Sequence, residues 1–491
     1  MPKLVNQVAA SIERGDHPYL NGAWTPNYEE WDAEDMEVIG EIPADIDGVY
    51  VRNTENPAHG VIGKYHPFDG DGMLHMMRIK DGKASYRNRF IRTRGFEAEQ
   101  EAGRPLWIGF TGKPGAEERT GTGCHGHIKD ASSTDVVVHG GEILTSFWQC
   151  GEGYRLSAEN LETLGIAPWA PIDGVSAHTK VDHETGELLF FNYSRHAPYM
   201  HYGVVGADGR MKHYIPVELP GPRLPHDMAF SKNYSVLNDF PMFWPQEMLE
   251  QNRFVPWFYK DMKSRFAVVP RYGQPEHIQW FEAEPTFVLH YTNCYEEGDE
   301  VVLEGYFQNN PFPPPLPDMP KHYALMAAGI DIHSFKPHLH RWRFNLKTGK
   351  TQEERICEAD HVEFGTINPR WAGRKNRYVY SALGEKGWFL FAGLVKHDLE
   401  AGTYETVTFG EQRFGSETPF IPRRNATAED DGYLISFITD MKSDRSECVI
   451  LDAQDITAGP ICQIVLPHRI CSGTHAVWAQ AEEFETAGAA S

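Results

Sequence analysis

From about Val38 onward the chain alternates short runs of apolar and β-branched residues with clusters of Gly, Pro, Asn and Asp. Runs such as Gly48–Asn53, Met73–Ile79, Ala84–Arg92, Asp135–His139 and Val301–Phe307 have the length and pattern of strands bounded by turns. His340–Leu346, Arg377–Ser381, Gly387–Phe391 and Gly432–Phe437 continue the series. The stretch from His178 to Tyr193 shows the unit in full. Asp182–Gly186 reads as a hairpin turn in which Gly186 supplies a positive φ, and Leu188–Tyr193 is apolar enough for a strand buried on both faces. Related turns recur at Asn345–Gly349 and Asp398–Gly402.

Repeated strand–turn–strand units without a strict sequence period predict an all-β fold of degenerate propeller blades. A β-sandwich would have to be oversized to hold so many strands. The length leaves room for roughly seven blades at 40–50 residues each. The predicted organisation is an N-terminal arm over residues 1–30, beginning with a short helix, and one propeller over residues 31–491. Two stretches interrupt the rhythm. Residues 240–285 combine Trp244, Phe254, Trp257, Phe258 and Phe266 with a helix-compatible Gln246–Asn252 segment, and residues 309–337 run from a proline-rich start into apolar Tyr323–Ile330. Such insertions either cover an apolar substrate tunnel or cap one end of the barrel.

Composition narrows the partners. The formal net charge of −23 argues against a nucleic-acid partner, which needs a basic face, and against docking to anionic membranes. There is no apolar run of about 18 residues, and Met1–Gly15 lacks the apolar core of a signal peptide, so no membrane span and a cytoplasmic location are expected. Cys124, Cys150, Cys294, Cys357, Cys448, Cys462 and Cys471 form no C-x-x-C pair and are read as free thiols in a reducing compartment.

Four histidines stand in comparable places: His178 before the hairpin, His226 in Pro-His-Asp-Met-Ala-Phe, His290 after Pro285–Leu289, and His475 in Ser-Gly-Thr-His-Ala-Val-Trp. One such histidine is ordinarily a packed core residue; the recurrence is what suggests a metal. Imidazole suits iron, copper, zinc and nickel alike. Structural zinc favours cysteine and catalytic zinc often takes a carboxylate, so an all-histidine set suits a ferrous ion with open positions for dioxygen. Glu363 and Glu417 are acids among apolar strand residues and could orient ligand imidazoles, although turn-capping is the ordinary role of such acids. A hydrolytic propeller with calcium or zinc would want axial Asp, Asn or Glu in matching contexts, and a non-catalytic propeller scaffold would have no use for four converging imidazoles.

Phe68-Asp-Gly-Asp-Gly-Met-Leu-His75, Tyr86-Arg-Asn-Arg-Phe-Ile-Arg-Thr93 and the four histidine contexts, in this order, resemble the carotenoid cleavage oxygenase family over nearly the whole chain, in particular its lignostilbene dioxygenase branch. The resemblance implies a seven-bladed propeller with Fe(II) held by His178, His226, His290 and His475. It places two ligand-supporting glutamates at Glu363 and Glu417, and puts Gln149 where a third would stand. It also places Thr134 near the vacant iron position and Lys129 where stilbene-cleaving members grip a phenolic hydroxyl. Phe96 falls where a tyrosine assists that lysine. The implied reaction is cleavage of the interphenyl alkene of a 4-hydroxystilbene by dioxygen to two aromatic aldehydes, with apocarotenoid cleavage as the alternative; a homodimer is compatible with this reading.

Overall fold

The computed structural model describes residues 2–120, 127–250 and 256–485; Cys124, Phe254 and the end of the Gln246–Asn252 segment lie outside the described residues. The fold is a seven-bladed β-propeller: seven sheets of four or more antiparallel strands, with one small two-stranded sheet beside them. By packing, the described residues divide into two compact units, one within Met1–Ala177, Phe409–Thr427 and Asp431–Ser491, the other within His178–Thr408 and Ala428–Asp430.

The first unit holds three blades, and chain ends complete two of them. Ala476–Gln480, near the C-terminus, pairs with Gly48–Glu55 at the edge of one sheet, from Ala476 opposite Arg52 to Gln480 opposite Gly48. Val38–Gly40 completes a second blade by pairing with Pro460–Val465. A core of Tyr50, Met77, Tyr86, Ile435, Phe437 and Ile450 fills the space beneath these strands. The arm begins with a strand, Lys3–Gln7, paired with Glu29–Ala33, instead of the expected short helix. All five residues of Lys3–Gln7 are exposed, so edge pairing holds this segment, with no amphipathic face to make a helix worthwhile.

The second unit holds four blades in chain order, each a four-stranded meander. Glu187–Tyr193 is buried at every position, as its apolar run predicts. The Asp182 hairpin closes as expected: Gly186 has φ +69° and donates its N–H to the Asp182 carbonyl at 2.7 Å, while Glu184 N–H caps the Asp182 carboxylate at 3.0 Å. Asn345 and Asp398 build the same turn with Gly349 and Gly402. However, Asp182 joins the first two strands of its blade, whereas the other two turns join the third and fourth. The likeness is one of turn chemistry and does not mark the blade period.

Gly387–Phe391 is a connecting turn, not the expected strand; the strand starts at Phe391. Gly387 at φ +80° and the Glu385 N–H to Leu390 carbonyl bond of 2.8 Å fold the run back on itself, while Phe389 and Leu390 are still buried. Of the aromatic insertions, Trp257 and Phe312 stack at 6.0 Å and are exposed, whereas Phe258 and Phe266 belong to the core. Short helices occupy Gln246–Glu250, Ala324–Ala328 and Ile332–Phe335.

Candidate metal centre

Each of the four histidines sits just before an edge strand of its sheet. His178 precedes Lys180–Asp182, His226 precedes Ala229–Phe230, His290 precedes Tyr291–Glu297 and His475 precedes Ala476–Gln480. Blade repetition therefore delivers an imidazole from the same structural place each time. This is the physical content of the recurring sequence contexts.

In the second unit, three of the rings converge. Ring centroids lie 4.7 Å apart for His178 and His226, 4.9 Å for His178 and His290, and 5.3 Å for His226 and His290. Ligand nitrogens of His178 and His290 come within 4.8 Å of one another. Glu363, fully buried on Val362–Thr366, accepts from His290 Nδ1 at 2.6 Å and from the Phe364 N–H at 2.9 Å. With Nδ1 committed to that carboxylate, Nε2 is the nitrogen a metal would take. The Phe364 ring lies 4.4 Å from His290, and Phe391 in turn lies 4.8 Å from Phe364. His178 and Phe364 both adopt left-handed backbone, at φ +66° and +53°. Each such non-glycine residue costs about 1–2 kcal/mol, and strain of this kind collects where geometry serves a site.

In the first unit, Glu417 reaches the fourth histidine. Its carboxylate faces His475 Nδ1 at 3.2 Å and accepts the Ala476 N–H at 2.8 Å. Burial alone would lower the His475 pKa; the Glu417 carboxylate outweighs it and holds the imidazole above its usual range. Thr134 is half-buried and its hydroxyl accepts the Trp148 N–H at 3.2 Å, so it braces the turn that carries the half-buried Gln149.

Lys129 and Phe96 are not placed as a phenol-binding pair. The Lys129 ammonium lies 2.5 Å from Asp71 and 2.6 Å from Glu99, and its side chain is only 4% exposed. Burial would lower the lysine pKa, but these two carboxylates outweigh it and keep the group charged. The stem of Lys129 passes against Gly95, where an added Cβ would come within 2.5 Å of its Cγ. Phe96 is in the core, its ring 5.1 Å from Phe90 among Val8, Ala58 and Met73. The Lys129 ammonium thus ties the Asp-Gly-Asp-Gly turn to the helix Arg94–Ala102. Sequence reading missed this because Asp71 and Glu99 lie far from Lys129 along the chain.

A histidine-rich, carboxylate-supported site at blade edges invites comparison with known oxygenases. Residues 24–480 match the family described as Retinal pigment epithelial membrane protein. The chain belongs to this family, that of the carotenoid cleavage oxygenases. The chain is 32% identical to carotenoid 9,10(9′,10′)-cleavage dioxygenase 1 of Phaseolus vulgaris, over 96% of this chain and 90% of that one. It is 30% identical to isoeugenol monooxygenase of Pseudomonas nitroreducens, over 96% and 99% of the two chains. Among solved structures, lignostilbene dioxygenase of Pseudomonas brassicacearum matches with a TM-score of 0.84 and 25% identity, over 96% of this chain and all of that one. This family member is thus an enzyme of the oxygenase type acting on small molecules with dioxygen. No helix among the described residues is long and apolar enough to cross a membrane. The six described cysteines, Cys150, Cys294, Cys357, Cys448, Cys462 and Cys471, are buried.

Proposed function

We propose that this oxygenase holds Fe(II) through His178, His226, His290 and His475 and cleaves the interphenyl double bond of a stilbene into two aromatic aldehydes. The observation that carries the metal reading is the convergence of three imidazoles with one Nδ1 fixed by a buried glutamate. That donor set fits iron: neutral nitrogen ligands, an oriented tautomer, and a carboxylate that supports a ligand without taking a coordination position. When bound, ferrous iron supplies the redox chemistry that joins dioxygen to the alkene. Both oxygen atoms are accounted for, one in each aldehyde, and no external reductant is needed.

The residues contribute position and exclusion of water. Glu363 and Glu417 fix the orientation of their imidazoles by engaging Nδ1. Phe364 and Phe391 back the His290 side with apolar surface, which favours a hydrocarbon over water beside the reacting carbons. The structural likeness to lignostilbene dioxygenase supports the stilbene class. A second reading, apocarotenoid cleavage, draws support from the 32% identical plant relatives and from Lys129, whose ammonium is committed to Asp71 and Glu99.

Anaerobic reconstitution with Fe(II), followed by oxygen uptake and aldehyde analysis, separates these readings. The proposal expects uptake with 4-hydroxystilbene and 4-methoxystilbene. Uptake with an apocarotenal alone would transfer the assignment to the second reading. Absence of uptake with all three would reject alkene cleavage and favour a binding scaffold.

A further inference from the structure

Asp227 follows His226 directly and is 1% exposed, yet it supports none of the four imidazoles as Glu363 and Glu417 do. Its contacts are instead with the segments that carry them. One oxygen lies 2.7 Å from Lys180 Nζ, and Lys180 is two residues beyond His178. The same oxygen accepts the Met228 N–H at 2.7 Å. The other oxygen accepts the N–H of Tyr291, the residue after His290, at 2.8 Å. The Asn238 amide completes the knot, donating to the Asp227 carbonyl at 2.8 Å and reaching the Tyr291 hydroxyl at 3.3 Å. A single carboxylate therefore touches the chain beside three histidines that belong to three different blades.

We infer that Asp227 is a positioning residue of the metal centre, fixing the mutual spacing of His178, His226 and His290 by tying their three edge-strand entries together. The inference rests on the metal reading above, but not on the substrate. Its physical basis is that a site with three ligands on separate sheets is only as well defined as the backbone distances between those sheets. A buried carboxylate satisfied by an ammonium and two backbone N–H groups sets those distances rigidly, because each bond is charge-assisted and the carboxylate itself is shielded from water. Groups bonded directly to ligand imidazoles typically change metal affinity about 10–100-fold when altered, and Asp227, which acts through the adjoining backbone, is assigned the lower end of that range. Hydrogen bonds from the carboxylate to the imidazoles are not required for such an effect.

The test uses the full chain, stripped of metal and titrated anaerobically with Co(II), whose visible ligand-field spectrum reports coordination geometry. Parent protein that takes up no Co(II) would refute the metal reading itself, a result distinct from any difference between variants. Asp227→Asn is expected to weaken Co(II) binding at least about tenfold and to shift the ligand-field bands at saturation, with the far-ultraviolet circular dichroism unchanged. A buried aspartate with a purely structural role would lower the melting temperature while leaving affinity and spectrum at parent values, and that outcome overturns the inference. If Asp227→Asn does not fold, the paired variant Lys180→Met/Asp227→Asn, which buries no lone ammonium, is measured against the same criteria. Failure of both to fold would also overturn it, because the knot would then belong to folding and not to the site.

Discussion

Replacing Lys129 by Met tests what its ammonium is for. The substitution preserves much of the apolar stem but leaves Asp71 and Glu99, 3% and 2% exposed, facing one another without their cation. At an effective dielectric of about 20, each contact supplies about 6 kcal/mol of Coulomb attraction before desolvation is set against it. Removing one partner of a buried pair costs about 3–5 kcal/mol in practice, and here two carboxylates lose theirs. A loss at the upper part of that range is expected, seen as a lowered melting temperature. Lys129→Met/Glu99→Gln should recover part of it, since one of the two uncompensated charges is gone. The decisive assay is kcat/KM per folded, iron-loaded protein on 4-hydroxystilbene and 4-methoxystilbene. If Lys129 is a clamp, both substrates change by the same factor. A stable Lys129→Met variant that loses 4-hydroxystilbene activity selectively, by tenfold or more, would refute the clamp and restore a phenol-binding role.

Other predictions follow from single contacts. Glu363→Gln should reduce iron affinity 10–100-fold while the blades stay folded, read by metal analysis after dialysis against a weak chelator. Gly186→Ala should destabilise more than Gly402→Ala: both positions have positive φ, costing about 1 kcal/mol, but only at Gly186 would the new Cβ meet another side chain, Ala207 at 2.8 Å. Thermal melts of the two variants check the order. His397, fully buried between Ser381 and Cys357, has its pKa lowered to about 3 by burial. The unfolded chain takes up this proton near pH 6.5 and the folded one does not, so its contribution is present above about pH 6.5 and is lost progressively as pH falls toward 3. His397→Gln should flatten the stability profile across that window.

The sequence carried the parts of the site that are local in the chain. The turn at Asp182–Gly186, the buried run to Tyr193 and the placing of each histidine ahead of a strand all follow from neighbouring residues, as do the apolar surroundings of Glu363 and Glu417. What escaped reading was non-local. Lys129 looked available because its two carboxylates lie on a turn and a helix distant in sequence, and Phe96 looked like a pocket residue because its stacking on Phe90 is made only by folding. The Asp227 knot was invisible for the same reason: Lys180 and Tyr291 are brought to it from two other blades. The left-handed backbone at His178 had no sequence signal at all, since it is a non-glycine residue held there by its surroundings.

An iron oxygenase that splits an alkene with both atoms of dioxygen must leave one of them in each product. The most direct measurement is mass spectrometry of products from 4-methoxystilbene turned over by Fe(II)-reconstituted protein under ¹⁸O₂, with the aldehydes trapped as alcohols by immediate reduction. The account predicts one ¹⁸O in each of the two products. Two unlabelled products, or formation of aldehydes without dioxygen, would contradict it.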